Sequence, residues 1–323
     1  MVRVLVTGVG AVIGYGIVRT LKALAEPVAV IGMDIYPDAA GQHWCDAFEQ
    51  AAPANSPDYV SAVTRLIKAH AVDLVIPGIE QDAARMTRDI DALRPTGAKF
   101  ALNAPALVDI AADKWEMHKR LVAEGFDVIP TCTEGSFDDL AAELGVPFLM
   151  KPKRSYASKG IVRIETPEDL GYWRRRAGDD FMAQRIVGHD DAEFTTAAFG
   201  LGDGKCLPPI TLRRRLSGEG ATAKAVVASV PGIDEWVGRL ASVFRPIGPT
   251  NFQFREEAGR FLLLEINPRI SSSTSLRAAF GYNEAGMCID YYLRGKVPAA
   301  RPLRTGRAVR YIEDLIFYDR DHL

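Results

Sequence analysis

Several features that would assign this 323-residue chain to a special class are scarce in it or missing from it. It has only four cysteines, which are widely spaced and form no Cys-x-x-Cys pair, so reduced structural thiols are favoured over a disulfide framework. No apolar run approaches the roughly 20 residues that a membrane-spanning helix needs. The formal net charge of −2 argues against nucleic acid or an anionic membrane as the main partner. We therefore expect a cytoplasmic protein that acts on small molecules.

The composition that remains is that of an ordinary globular enzyme, with 48% apolar and 25% charged residues. The length suffices for two or three compact units, each with its own core. The first residues, Met1 to Val6, lead directly into a glycine turn. They are therefore interpreted as a first strand and not as a signal peptide.

The chain divides into three stretches with different patterns. Residues 1–103 alternate strands with helices, which predicts a parallel, right-handed, Rossmann-like sheet. Residues 104–187 contain a helix, a buried strand and a glycine-serine loop, and residues 188–323 are richer in strands and end in a closing strand and tail. In the first two stretches we predict strands at 2–7, 28–34, 73–77, 147–151 and 180–183, and helices at 13–24, 56–69, 81–93 and 113–124.

A glycine cluster, Thr7 to Gly14, lies between the first predicted strand and helix, where backbone N–H groups can cradle a phosphate. Asp34 ends the next strand, about where a ribose-binding acid stands in dinucleotide-binding proteins. This supports one alternative function, an NAD(P)-dependent oxidoreductase. The one Tyr-x-x-x-Lys, Tyr292 to Lys296, lies too near the C-terminus for a short-chain dehydrogenase.

Two acids follow a later strand of the same predicted sheet. Glu80 and Asp82 stand just after Pro77-Gly78, at the carboxyl edge where ligands collect in open α/β sheets. They could bind an amine there. The positive end of the helix dipole explains an acidic first turn equally well.

A candidate metal site lies in the last third of the chain. The run Leu262 to Arg269 is typical of a buried strand, and alternation puts Glu265 and Asn267 on the same face, with oxygen donors about 6–7 Å apart. Gln253, on a strand twelve residues earlier, is a third oxygen donor. One charge and two neutral oxygens suit Mg²⁺ whose other ligands are phosphates. The alternative is a β-hairpin whose polar face meets water.

The segment Asn251 to Leu276 resembles the metal-binding end of the ATP-grasp enzymes, and most closely the synthetase halves of carbamoyl phosphate synthetase. The resemblance implies a Rossmann-like pre-ATP-grasp domain (1–103) and a two-lobed ATP-grasp domain (104–187 and 188–323), in an α/β and α+β fold. It also implies ATP and Mg²⁺, or Mn²⁺, as cofactors, a carboxylate activated as an acyl phosphate, and an amine acceptor. The chain resembles one half without a second copy or a glutaminase, which favours a free-standing carboxylate–amine ligase. A homodimer and a nucleotide-binding pseudoenzyme are both compatible with it.

The same resemblance implies roles for individual residues around a nucleotide. Two lysines that open a helix and end a strand would neutralise phosphates, and a small-residue loop would close over them as a lid. A hinge would read the adenine edge, and an acid would accept the ribose hydroxyls. In that order these residues are Lys114 and Lys151; Ser155, Ser158, Lys159 and Gly160; Gln184, Arg185 and Val187; and Glu193.

The resemblance further implies two catalytic cations. Lys224, after Arg213-Arg214-Arg215 and a glycine-rich loop, would reach the γ-phosphate, and Arg269 would hold the acyl phosphate through its two-point fork. The three arginines could instead be a solvated strand face. Carbamoyl phosphate synthetase halves usually carry another arginine where Ser272 stands, and this difference argues against bicarbonate as the carboxylate.

Overall fold

The structure is a computed structural model that describes residues 1–155, 160–218, 220–316 and 318. Its strands form three sheets, of five, six and four strands. Within these ranges no helix is long and apolar enough to cross a membrane. Ser158 and Lys159, which belong to the predicted phosphate loop, lie outside the described residues.

The five-stranded sheet is parallel throughout, as the alternating pattern predicts. Its strand order is β3-β2-β1-β4-β5. The strands are β1 (Val2–Thr7), β2 (Val28–Asp34), β3 (Ala47–Gln50), β4 (Leu74–Ile76) and β5 (Lys99–Phe100), and the helices are α1 (Val12–Lys22), α2 (Tyr59–His70), α3 (Glu80–Arg88) and α4 (Ile90–Leu93).

Two details of this sheet differ from the sequence-based expectation. The helix predicted over 81–93 is two helices, because the chain leaves helical geometry at Asp89, whose carboxylate pairs with Arg85. Strands β3 and β5 were not predicted, because their residues are only half-buried or exposed and show no apolar run. Both are edge features, so the parallel core of the sheet is unaffected.

The four-stranded sheet is antiparallel, with the order β6-β9-β7-β8. Helices α7 and α8 each begin with a capping box, in which Ser136 pairs with Asp139 and Thr166 with Asp169. The elements are α5 (Pro105–Ala112), α6 (Lys114–Ala123), β6 (Thr131–Cys132), α7 (Phe137–Leu144), β7 (Phe148–Pro152), β8 (Val162–Ile164), α8 (Pro167–Ala177) and β9 (Phe181–Arg185). Gln184 and Arg185 therefore belong to a strand, and do not follow it as predicted.

The six-stranded sheet has the order β14-β13-β10-β11-β12-β15, and all its pairs are antiparallel. Its elements are β10 (Glu193–Leu201), β11 (Ile210–Leu216), β12 (Thr222–Val227), α9 (Ile233–Phe244), β13 (Ile247–Glu257), β14 (Arg260–Asn267), α10 (Thr274–Ala279), α11 (Glu284–Cys288) and β15 (Arg307–Val309). Short 3₁₀ segments lie at Ala40–Trp44, Arg94–Thr96 and Asp190–Ala192, and a π-helical turn lies at Ile289–Leu293.

One hydrophobic core joins the first sheet to the last third of the chain. Ile17 of α1 and Val4 of β1 lie in the same buried cluster as Phe199 of β10, Ile270 and Ala285 of α11. Burial of such side chains stabilises the fold by about 1.5–3 kcal/mol each. The two regions are therefore packed as neighbours, and the division of the chain at residues 103 and 187 stays a prediction.

The turn after β1 depends on glycine. Gly8 has φ +60°, and a Cβ added to Gly14 in α1 would lie 2.0 Å from the carbonyl oxygen of Gly8. A Cβ on Gly78, after β4, would lie 2.1 Å from the carbonyl oxygen of Thr7. The turns after β1 and β4 are therefore in direct backbone contact at the carboxyl edge of the sheet.

Gly14→Ala is expected to destabilise the protein by about 1–3 kcal/mol, because the added methyl group meets backbone that cannot move aside as a side chain would. The matched control is Gly171→Ala in α8, where the added Cβ would meet only Arg175 Nη1 at 3.5 Å. That substitution should leave stability unchanged or raise it by up to about 1 kcal/mol. Urea unfolding midpoints of the two variants measure the difference. Equal midpoints would contradict the proposed contact.

Candidate functional site

The proposed metal residues lie at the end of the β13–β14 hairpin. Gln253 pairs across the hairpin with Glu265, and Asn251 pairs with Asn267. Leu264 has no cross-strand partner, because the register shifts by one residue after Gln253. Cross-strand partners share a face of the sheet, so all four polar side chains lie on one face. The Asn267 Nδ2 donates to Glu265 Oε1 at 3.0 Å.

Arg269 connects this hairpin to the first sheet. Its Nη2 donates to Asn267 Oδ1 at 3.0 Å and to Glu80 Oε2 at 3.1 Å. Glu80 is the first residue of α3, at the carboxyl edge of the parallel sheet. Its neighbour Asp82 is buried, and burial raises the pKa of that carboxyl group. Of the two acids, only Glu80 contacts the site.

Two lysines complete a charged cluster around Glu265. Lys151, at the end of β7, is buried, and burial lowers the pKa of its ammonium to about 8 against the opposing attraction of Glu265. Burial also lowers the pKa of Lys114, while Glu265 and Glu80 act in the opposite direction. Lys114 Nζ donates to the carbonyl oxygen of Ser155 at 2.6 Å and to Ser155 Oγ at 3.0 Å. The two ammonium groups therefore lie near the one carboxylate proposed to hold a metal.

A narrow slot opens beside these lysines, between α6, β9 and β14. Lys114, Met182, Gln184, Leu264 and Glu265 are among the residues that line it. Leu264, the unpaired residue of the hairpin, contributes an apolar wall. The slot therefore has apolar sides, one amide and a charged end, a composition suited to a flat heterocycle that bears phosphates. Its volume of about 30 Å³ is that of one water molecule, so a heterocycle would enter it only after the walls had moved apart.

The segment after β9 is fastened to the β13–β14 hairpin. Arg185 forms an ion pair with Glu257, and the Gly188 N–H donates to the other oxygen of that carboxylate at 3.3 Å. Val187 is buried in a small apolar cluster with Ile129. The predicted hinge residues Gln184, Arg185 and Val187 thus lie together. Only Gln184 is among the residues that line the slot.

Gly160 ends the part of the phosphate loop that the structure leaves undescribed. Its φ is +77°, and an added Cβ would lie 2.8 Å from Pro152 Cγ, so glycine is required there. Ser155, which precedes the predicted loop residues Ser158 and Lys159, contacts Lys114 of the charged cluster.

Glu193 is held by two arginines that the sequence did not single out for the site. It accepts from Arg214 Nη2 at 2.9 Å and from Arg255 Nη2 at 3.1 Å, and it is buried. Arg214 is also buried and donates to Gln253 Oε1 at 2.6 Å. Arg255 follows Gln253 by two residues, so strand alternation alone could have placed it on this face.

These contacts test the donor set for a metal. The Gln253 side-chain oxygen accepts a hydrogen bond from the Arg214 guanidinium. Within the described ranges of the chain, one Glu265 oxygen accepts no hydrogen bond, and the Asn267 oxygen accepts only from Arg269. Among the described residues, no cluster of three or more His, Cys, Asp or Glu side chains forms a metal cage. One carboxylate and one amide fit a Mg²⁺ that takes its remaining ligands from water and phosphate. They do not fit a metal held by protein alone.

The structure does not bring Lys224 to this cluster. Lys224 pairs across β11–β12 with Arg215, and both are exposed, whereas Arg214 between Arg213 and Arg215 is buried in the site. Alternation therefore places Lys224 on the opposite face from Glu193 and Glu265. This register corrects the expectation that Lys224 approaches the γ-phosphate. The cation that β11 contributes to the cluster is Arg214, which contacts Glu193 and Gln253.

The glycine turn after β1 carries a separate cleft of about 1150 Å³ at the carboxyl edge of the first sheet. Asp34 lies in it, but its two carboxylate oxygens accept from Gly10 N at 2.8 Å and Tyr36 N at 3.1 Å. The acid expected to bind ribose and one amide expected to bind phosphate are thus paired with each other. This pairing disfavours the dinucleotide interpretation.

A buried polar network lies beneath the metal residues. Arg277 has no exposed surface, and it donates to Asn251 Oδ1 at 2.5 Å, Thr195 Oγ1 at 2.9 Å and Ser271 Oγ at 2.8 Å. Its charge is balanced by Glu284, at 3.4 Å and 1% exposed. Arg277 thus fixes β10, β13 and the segment after Arg269 relative to one another. No pattern in the sequence distinguished it from a surface arginine.

Comparison with known proteins agrees with this geometry. Residues 193–315 match a family model described as "ATP-grasp in the biosynthetic pathway with Ter operon". Among solved structures, N5-carboxyaminoimidazole synthetase from Staphylococcus aureus, complexed with ADP, superposes with a TM-score of 0.72 at 16% identity, covering 94% of this chain and 80% of that one. The biotin carboxylase domain of the Hydrogenobacter thermophilus 2-oxoglutarate carboxylase, with MgADP, also has a TM-score of 0.72, at 15% identity, covering 94% and 73%.

Two kinds of curated relative are similar in sequence. The carbamoyl phosphate synthase large chain of Thermotoga neapolitana is 24% identical over 192 residues, which are 51% of this chain and 16% of the relative. The formate-dependent phosphoribosylglycinamide formyltransferase of Burkholderia cenocepacia is 27% identical over 195 residues, 58% of this chain and 44% of the relative. The chain thus spans less than half of the length of either. The chain has the fold of these solved structures. The ATP-grasp resemblance predicted from Asn251 to Leu276 is confirmed for that part of the chain, since the segment falls within the residues that match the family model.

Arg277→Met is expected to destabilise the protein by about 3–5 kcal/mol, because it leaves the Glu284 carboxylate buried without its partner. Adding Glu284→Leu should recover part of that loss, because the double variant buries no unpaired charge. The control is Arg294→Ala, whose ion pair with Asp290 is solvent-exposed and should contribute less than about 1 kcal/mol. Chemical denaturation of the three variants gives the comparison. A cost for Arg277→Met no larger than the control's would refute the assigned role.

Proposed function

We propose that this protein is an ATP- and Mg²⁺-dependent ligase that activates a carboxylate as an acyl phosphate and joins it to an amine. One observation carries the proposal. Buried Lys151 and half-buried Lys114 lie around Glu265, and Glu265 is hydrogen-bonded through Asn267 to Arg269. One side of the hairpin therefore carries the lysines that would bind phosphate, the side-chain oxygens that would bind a metal, and the guanidinium that would bind a carboxylate. The relatives named as carbamoyl phosphate synthase and as a formyltransferase support the same class of reaction.

The nucleotide is assigned to the slot between α6 and β14. Adenine would lie between its apolar walls, with Gln184 and the backbone near Val187 reading its edge. Lys114 and Lys151 would offset the negative charge of the phosphates as compact cations. Ser155 and Gly160, with Ser158 and Lys159 between them in the sequence, would cover the phosphates. Glu193 would accept the ribose hydroxyls only if it exchanged a bond to Arg214 or Arg255.

Glu265 and Asn267 would hold the Mg²⁺, with phosphate oxygens and water as its other ligands. The metal supplies Lewis-acid stabilisation of the charge on the transferring phosphoryl group. Gln253 stays a candidate ligand that must first release Arg214. Arg214 meanwhile keeps Glu193 and Gln253 in fixed positions, so the site is preorganised before any ligand binds.

The carboxylate is assigned to Arg269, whose planar fork matches two oxygens. In the structure Nη2 of that fork donates to Glu80 and Asn267, and Nη1 donates to the Ile270 carbonyl oxygen at 3.2 Å. A carboxylate would therefore have to displace some of these bonds, while the buried Nε has no partner among the described residues. Glu80 would position the amine through its carboxylate. The two substrates would therefore meet where the hairpin contacts the parallel sheet. In-line transfer of the γ-phosphoryl group to the carboxylate would then be followed by attack of the amine and loss of phosphate.

The dinucleotide alternative is favoured by one observation, the large cleft bordered by Gly8, Gly10 and Asp34. Calorimetry separates the two functions. ATP with Mg²⁺ should release binding heat, and NADPH should release none. Tight NADPH binding with ATP silent would favour the oxidoreductase.

The reaction itself is tested with hydroxylamine, which traps an acyl phosphate as a hydroxamate. With ATP, Mg²⁺ and a carboxylate substrate, ADP and a hydroxamate should form in equal amounts, and Arg269→Lys should reduce both because an ammonium cannot make two parallel bonds. The carboxylate is sought by screening ADP release across carboxylate–amine pairs. A stable phosphorylated alcohol, with no hydroxamate from any carboxylate, would rule out this route. Nucleotide binding without ADP release from any pair would favour the pseudoenzyme.

Glu265→Gln is expected to lower metal-dependent ADP release by about 10²–10³-fold, because it removes the one charged ligand while keeping the shape of the side chain. Glu256→Gln, on the same hairpin, is the control and should retain activity, since no ion pair of Glu256 is found among the described residues. Rates are compared at saturating Mg²⁺, with unfolding curves to confirm that both variants fold. Full activity of the Glu265 variant would remove it from the metal site.

Binding of ATP is expected to take up a proton at about pH 8.5. The pKa of Lys151 is lowered to about 8 in the free protein, and phosphate charge should raise it in the complex. Affinity should therefore fall as the pH rises through and above about 8, and it should be insensitive to this group at lower pH, where Lys151 is charged in both states. Titration calorimetry in two buffers of different ionisation enthalpy counts the protons. Lys151→Arg, which stays charged, should lose most of the uptake; an unchanged count would contradict the assignment.

A further inference from the structure

The face of the six-stranded sheet that is opposite to the site carries a cationic groove. We use this name for the cavity of about 520 Å³ that is lined by Arg213 of β11, Lys224 of β12, and Arg307 and Val309 of β15. Among the described residues, no carboxylate lies within 4.0 Å of the charged nitrogens of Arg213, Lys224 or Arg307. Asp191, at one end of the groove, is paired with Arg215. The groove therefore has an excess of positive charge in a protein whose formal net charge is −2.

The strand register concentrates this charge. Val226 pairs with Arg213 on one side and with Arg307 on the other, so the two arginines flank one valine on the same face. Lys224 stands directly opposite Arg215, whose charge is balanced by Asp191. The like charges that remain together in the groove are therefore those of Arg213, Lys224 and Arg307, and like charges close together on one face of a sheet are destabilising. An anionic occupant would remove this repulsion, and the exposed Val309 in the same groove would add apolar contact.

The segment that follows β15 has the complementary chemistry. It exposes five large apolar side chains, namely Tyr311 (75%), Ile312 (95%), Leu315 (45%), Ile316 (65%) and Tyr318 (94%). Glu313 and Asp314 lie between them in the sequence. A run of apolar side chains exposed to this degree is typical of a surface that another molecule covers.

The point at which this segment leaves the sheet is fixed. Arg310 N donates to the Ala223 carbonyl oxygen at 2.8 Å, and Arg310 Nη2 donates to the Ser272 carbonyl oxygen at 2.5 Å. The chain is thus held beside Ala223 of β12 and Ser272 as it leaves β15. β15 is an edge strand with no neighbour on its outer side in the described sheet, an arrangement that invites a second chain.

We propose that residues 311–316 of one copy occupy the cationic groove of a second copy, and that the exchange is reciprocal in a twofold dimer. Glu313 and Asp314 would meet Arg213 and Arg307, while the neighbouring apolar side chains would cover Val309 and the edge of β15. A reciprocal contact of one surface with itself closes at two copies, so it produces a dimer and not a filament. The inference is independent of the ligase reaction, since the groove lies on the other face of the sheet.

Sedimentation velocity over a range of concentrations tests this. The intact chain should be a dimer, and the double variant Glu313→Lys with Asp314→Lys should dissociate at least about tenfold more readily, because like charges then meet across the contact. Arg213→Glu with Arg307→Glu should have the same effect. Combining all four changes should restore the dimer, which neither loss of folding nor a general change of net charge can explain. Arg301→Glu, outside the groove, is the control and should remain dimeric.

Three outcomes would overturn the proposal. The intact chain could be a monomer at all concentrations, or both charge-reversed variants could dimerise as well as the intact chain. In the third, hydrogen exchange would show residues 311–316 protected in a particle of monomer mass, which would mean that the segment folds onto its own groove. Restored dimerisation in the four-residue variant is the result that supports docking between copies.

Discussion

The contact of a single Arg269 nitrogen with two different elements is the interaction on which the candidate site depends. Its Nη2 bonds at once to Asn267 of the β13–β14 hairpin and to Glu80 of the parallel sheet. Without it, no hydrogen bond of Arg269 would connect the proposed metal residues to the carboxyl edge of the first sheet. The shared core of Ile17, Phe199 and Ala285 holds the same two regions together from below. Packing thus sets the distance between them, and the arginine sets the orientation of the polar groups.

Fully buried charge beneath the hairpin gives that orientation its rigidity. Arg277 and Arg214 lie almost completely out of water, each bonded to several oxygens. Burial of such groups costs several kcal/mol and often contributes little net stability. Its effect is geometric, since each guanidinium allows few arrangements of the oxygens around it. The strands that carry Gln253, Glu265 and Asn267 are therefore held in register before a ligand is present, which is what electrostatic catalysis requires.

Features that follow from the periodicity of one segment could be predicted from the sequence. Features that depend on how two strands align with each other could not. Alternation was enough to put Glu265 and Asn267 on one face, and the βαβ pattern was enough for a parallel sheet. It could not show that Leu264 is left unpaired, nor which of Arg213, Arg214 and Arg215 turns inward, because these depend on where a partner strand aligns. The family resemblance assigned Lys224 to the phosphate, and the cross-strand pairing with Arg215 places it on the other face of the sheet.

The charges of the candidate site favour the binding of a polyanion. Lys114 and Lys151 are both shielded from water, and burial lowers the pKa of each. The single carboxylate Glu265 attracts both but cannot replace the water that each has lost. A triphosphate would supply the missing negative charge, and a metal on Glu265 would then be held between that charge and the carboxylate. Under the proposed function, nucleotide and metal bound together would recover part of the cost of burying the two lysines, and this would couple the two ligands through the electrostatics of the fold.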